Sequence, residues 1–122
     1  MRGVKQRAGE RWTESKYFSF IRSALRAAFN KYPPKFDAKL EARIVVEGKR
    51  HRYEYICASC NCTYRDTEVQ VDHIYPAGSL KKYEDLPSFV ANLFCETDNL
   101  QVLCKDCHKA KTKEEREARK NE

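Results

Sequence analysis

The chain has 122 residues, 41% hydrophobic and 34% charged, with a formal net charge of +6. That length suits one compact domain, alone or with an appended arm, whose modest core commonly leans on disulfides or a structural metal. No apolar run approaches the roughly 18 residues of a membrane span, and the basic start, Met1 to Arg7, lacks the apolar stretch of a secretory signal. A reducing cytosol is therefore expected, where six cysteines read as metal ligands rather than disulfides.

Charge is concentrated at the beginning. Residues 1–35 carry nine Lys or Arg against Glu10 and Glu14, while the remaining 15 basic residues face 16 acidic ones. A basic arm on a near-neutral body suits a polyanionic partner, although a solubilising tail explains the charge equally well. Residues 1–11, with Arg2, Lys5, Arg7 and Arg11, are expected to be disordered. From Thr13 to Tyr32, Phe18, Ile21, Leu25, Ala28, Phe29 and Tyr32 recur at steps of three and four, which predicts an amphipathic helix ended by Pro33-Pro34. Arg22 and Arg26 fall on its other flank and are candidate phosphate contacts, a solvated helix face being the alternative. A second helix is expected from Asp37, a good N-cap, through Leu40 and Ile44 to Gly48.

After Gly48 the pattern changes. Tyr53-Glu54-Tyr55-Ile56 and Glu68-Val69-Gln70-Val71 alternate as half-buried strands do, and Cys57 to Asp66 would turn them into a hairpin. Pro76, Gly78 and Lys81-Lys82 mark a loop, and Pro87 opens a short helix carrying Phe89, Val90, Leu93 and Phe94. A turn follows at Thr97-Asp98-Asn99, and the run from Asp106 to Lys120 is expected to be helical. The expected division is a basic arm with helices over 1–48 and a second region over 49–122.

Cys57-Ala58-Ser59-Cys60 and Cys104-Lys105-Asp106-Cys107 are two C-x-x-C units. Each spacing lets a tight turn aim two sulfurs at one ion, and together they complete the tetrahedral shell of structural zinc. The 43 intervening residues exceed the usual zinc-finger gap, so the insert must fold as something in its own right. Cys62 is a competing ligand, and Cys95 reads as a small buried hydrophobe.

Within the same stretch lie Asp72-His73-Ile74, Asp98-Asn99-Leu100 and His108 directly after Cys107. Two of the chain's three histidines belong to this group; His51, in Lys49-Arg50-His51-Arg52, reads as a solvated residue. Phosphodiester hydrolysis needs a base to activate water and a cation to hold developing charge. Histidine suits the first role, giving His73, and a carboxylate with an imidazole suits a divalent ion, giving Asp72 and His108. Adjacent strand residues point to opposite faces, so Asp72 and His73 can serve one phosphate only if the strand has ended or bends there.

The stretch from Cys57 to Lys111 resembles the HNH (His-Asn-His) nuclease family. Cys57-Cys60, Asp72-His73-Ile74, Pro76, Gly78, Asn99-Leu100, Cys104-Cys107-His108 and Lys111 match its pattern. Phe94 to Cys104, Lys111 to Glu115 and the upstream Phe20 to Arg26 helix are similar to small HNH proteins of tailed bacteriophages. The resemblance implies an α+β fold with a ββα-metal core, a structural zinc and the same roles for His73, Asp72 and His108. It also implies that Asn99 either braces the loop and His73 or reaches the metal. Mg²⁺ or Mn²⁺ is the implied catalytic ion, with Ni²⁺ or Zn²⁺ acceptable to the imidazole. Double-stranded DNA is the expected partner, in the cytoplasm of a phage-infected bacterium. On the last helix Lys109, Lys113, Arg116 and Lys120 recur as a basic stripe, and Lys111, Lys113 and Arg116 are candidate DNA contacts, a solvated face paired with Glu114, Glu115 and Glu117 being the alternative. The rival expectations are a non-catalytic zinc module that binds nucleic acid or protein, and an accessory of phage DNA packaging that assists a terminase.

Overall fold

The computed structural model describes residues 3–120; Arg2, part of the expected basic arm, lies outside them. The chain is a mixed α+β protein. It divides into two compact units, one of residues up to Pro33 with Tyr75–Cys95, the other of Pro34–Ile74 with residues from Glu96 on. No helix among the described residues is long and apolar enough to cross a membrane.

In the first unit, strand β1 (Lys5–Arg7) pairs antiparallel with β2 (Trp12–Thr13). The expectation of disorder is therefore corrected for residues 5–11. Polar composition hid the partners of Arg7, which pairs with Glu14, donates to the Tyr83 hydroxyl at 3.1 Å and lies 4.7 Å over the Tyr17 ring. Helix α1 (Glu14–Phe29) starts because the Thr13 hydroxyl accepts the Lys16 N–H at 3.1 Å, satisfying one of the orphan donors of the first turn. Its stripe buries Phe18 and Phe29. After a loop that buries Ala77 and Leu80, helix α3 (Leu86–Leu93) carries its proline in the first turn, as expected, and buries Phe89 and Leu93.

In the second unit, helix α2 (Pro33–Glu41) begins at the two prolines instead of at Asp37. Their missing N–H groups cost nothing in a first turn, where those donors have no helical partner. The helix also stops short of Gly48, because Arg43–Val45 forms strand β3. Strand β4 (Tyr53–Ile56) lies between β3 and β5 (Thr63–Tyr64), all antiparallel, so this sheet runs across the expected division at residue 48. Strand β6 (Val69–His73) does not return to β4 as the expected hairpin required. It pairs with β7 (Leu100–Cys104), a strand whose near-continuous burial gave no alternation to read. Helix α4 (Lys105–Lys120) follows β7 without a loop. Between β6 and β7, Tyr75–Cys95 belongs to the compact unit of the N-terminal helix.

Candidate functional site

The sulfurs of Cys57, Cys60, Cys104 and Cys107 all lie within 4.8 Å of one another. Four sulfurs around zinc at about 2.3 Å stand roughly 3.8 Å apart, so the donor set fits such an ion after slight contraction. Backbone geometry builds both turns. Asn61, in the left-handed region at φ 63°, donates its N–H to Cys57 O at 2.9 Å, and the Cys107 N–H points at Cys104 Sγ at 3.4 Å. Asparagine tolerates that region better than most side chains. The Ala58 N–H bonds Val102 O at 2.8 Å, tying the first turn to β7.

The thiols divide into donors and acceptors of charge. The Tyr64 hydroxyl and then the Cys62 backbone pull the Cys60 thiol down to about 6. The Cys107 backbone N–H lowers Cys104, while Cys107 itself is pushed up to about 12, chiefly by its hydrogen bond to Cys104. Cys62, weighed as a competing ligand, is exposed and stands outside the four, its carbonyl accepting the Cys57 N–H at 2.9 Å. Cys95 is half-buried in the first unit.

A second group lies on β6, β7 and α4. Asp72 is 8% exposed. Its carboxylate accepts from Gln101 Nε2 at 3.0 Å, pairs with Lys111 Nζ at 3.1 Å and has His108 Nε2 at 3.6 Å. Gln101 is the residue opposite Asp72 in the β6–β7 ladder, and His108 and Lys111 are one turn apart on α4. His73 joins the group through its backbone carbonyl, which accepts from Lys111 Nζ at 2.8 Å. A shared face with Asp72 required the strand to end or bend at this point, and β6 runs through His73. His73 is the last residue of β6 and pairs with Leu100, and the Ile74 N–H continues the ladder to Asn99 O at 2.8 Å. Asn99 thus braces the end of β6 with its backbone.

The expected DNA contacts divide as well. Lys111 is absorbed by Asp72, the His73 carbonyl and Glu115 Oε2 at 2.9 Å. Burial lowers the Lys111 pKa, but its bonds to Glu115 and Asp72 outweigh that and hold it above its ordinary value. In this structure Lys111 serves as an internal counter-ion to Asp72 and Glu115. Arg22 donates to Leu80 O at 3.5 Å and Arg26 lies 5.6 Å over the Phe89 ring, so both pack within the first unit rather than forming a bare flank. Lys113 and Arg116 are exposed and form no ion pair among the described residues.

His51 is not merely solvated. Its Nε2 lies 2.7 Å from Glu54 Oε2, which also takes Lys49 Nζ at 2.7 Å, while Thr63 donates to Oε1 at 2.7 Å. Glu54 is 4% exposed, and these bonds, that of Lys49 first, hold its carboxyl down at about 2. A charged residue at the centre of a Tyr-Glu-Tyr strand, just after a basic run, was the available sign of this cluster. Comparison with protein-family models, curated proteins and solved structures finds no match for this chain.

Proposed function

We propose that this chain is a metal-dependent DNA endonuclease of the HNH type, built on a ββα-metal core of β6, β7 and α4. The observation that carries the reading is the Asp72–His108 pair, 3.6 Å apart, on a strand and helix that meet beside the four-cysteine cluster. Asp72 and His108 would hold Mg²⁺ or Mn²⁺, which supplies positive charge for the phosphate and the leaving oxygen. His73 takes the proton of the attacking water, which requires its imidazole to turn toward the Asp72 face at the end of β6. The Lys111 bond to the His73 carbonyl and the Asn99 bond to Ile74 support the reading by fixing that strand end. Zinc on Cys57, Cys60, Cys104 and Cys107 would lock β7 to the first turn of α4 and so position His108.

Nicking of supercoiled plasmid by the zinc-loaded protein, with and without added Mg²⁺ or Mn²⁺, tests this. His73→Ala is expected to lower cleavage by roughly two to four orders of magnitude while keeping zinc and divalent-ion binding. His108→Ala and Asp72→Ala are expected to lose cleavage together with Mn²⁺ or Ni²⁺ affinity, read by calorimetry. Cleavage at the parental rate in all three ends the proposal. One observation favours a second reading, a non-catalytic zinc module: the Lys111 ammonium already neutralises Asp72. Such a module binds DNA and leaves the plasmid supercoiled under every metal condition.

A further inference from the structure

The cations first expected to grip DNA are partly engaged inside the fold, whereas the β3–β4 hairpin presents others outward. Its tip, residues 46–52, closes on the bond from the Val46 N–H to Arg52 O at 2.9 Å and contains Lys49, Arg50, His51 and Arg52 against Glu47. Arg50 is exposed and has no partner among the described residues. Arg43 and Arg52 lie over the Tyr53 ring, 4.0 and 5.7 Å from its centroid, and both are exposed. Residues 43 and 53 fall on one face of the pair, because Arg43 is opposite Tyr55 and Val45 opposite Tyr53. Glu54 falls on the other face, buried, and ties down Lys49, His51 and Thr63.

We infer that the β3–β4 hairpin is a duplex-DNA clamp in which Arg43, Arg50 and Arg52 contact backbone phosphates, with buried Glu54 holding the tip in shape. Arginine's planar fork matches phosphate oxygens. Stacking Arg43 and Arg52 on a tyrosine ring restricts them before binding, so less conformational freedom is lost on contact. Glu54 engages Lys49 and His51 and leaves Arg43, Arg50 and Arg52 for the partner. The inference rests on the proposed function for its DNA partner, and not on cleavage.

The test measures binding of the zinc-loaded full chain to two unrelated 20-base-pair duplexes, without added divalent ion, across a salt series. Arg50→Gln/Arg52→Gln is expected to retain its zinc, to bind both duplexes roughly tenfold or more weakly at 0.1 M salt, and to flatten the log–log salt slope by about 1.8. A charge-matched control, Lys81→Gln/Lys82→Gln, is expected to keep the parental slope. A parental slope in the hairpin variant, an equal change in the control, or weakening on one duplex alone would overturn the assignment. Two outcomes separate the readings. A parent that nicks plasmid while the hairpin variant keeps its slope loses only the clamp. A hairpin variant that shows the slope change, with a parent that leaves plasmid supercoiled, loses only the nuclease.

Discussion

The two units are held together by different physics. The first buries Phe18, Phe29, Phe89, Leu80 and Leu93, and a dense polar group, Arg7 with Glu14, Tyr17 and Tyr83, lies at its surface. The second buries Cys57 and Cys104 beside Leu103, and sequesters two carboxylates, Glu54 and Asp72, each with cationic partners. Apolar burial needs no ligand and little regard for pH. Thiolates and buried carboxylates need a partner ion or a proton. The contrast makes the second unit the one whose integrity is expected to depend on metal and acidity.

Removing the metal should break the second unit most severely. Cys57→Ser or Cys104→Ser, or strong chelation, is expected to unfold or aggregate the protein, since structural zinc in small domains contributes on the order of 10 kcal/mol or more to folding. Elemental analysis of the parent should find about one tightly held zinc per chain. A stable zinc-free protein with disulfides in place of the ion would erase the contrast.

Phe18→Ala probes the other side. Loss of a fully buried ring is expected to cost about 3–5 kcal/mol in denaturant unfolding, whatever the zinc supply. Stability that recovered when zinc was added would show that the two cores are not distinct in kind.

Lys111→Met should be milder. It leaves the buried Asp72 carboxylate with Gln101 and His108 only, and is expected to cost about 1–3 kcal/mol. Because the ammonium no longer competes for Asp72, Mn²⁺ affinity measured by calorimetry should rise. A fall would make Lys111 a helper of the metal site rather than its stand-in counter-ion.

The smallest effect concerns acid. Glu54 is held at about 2, below its ordinary value of 4.5, by Lys49 first and then His51 and Thr63. A carboxylate depressed in the folded state contributes stability that is complete above its unfolded value and is lost as pH falls through its folded one. Parent and Glu54→Gln should therefore differ most above about pH 4.5 and converge as pH approaches 2. An unchanged gap at low pH would mean that Glu54 acts by shape and not by charge.

Short-range pattern was enough for much of the chain. Helices α1, α3 and α4 follow from apolar spacing, Thr13 as cap, Pro87 in a first turn and an Ala/Lys/Glu-rich run, all of which operate within a few residues. The two C-x-x-C turns were legible for the same reason, and their meeting in one cluster is what four soft donors in a small chain suggest. Pairing was not legible. The choice of β7 as the partner of β6 and the return of Tyr75–Cys95 to the N-terminal helix depend on residues tens of positions apart, and the strand Arg43–Val45 forms only by pairing with β4. Strands advertise one face and never their neighbour. The engagement of Lys111 by Asp72 and of His51 by Glu54 was hidden likewise, because a charged side chain looks solvated until the fold supplies its counter-ion. By itself the sequence determined helices α1, α3 and α4 and the two C-x-x-C turns. Only the tertiary structure decided which charges face water, since that depends on what packs opposite each one.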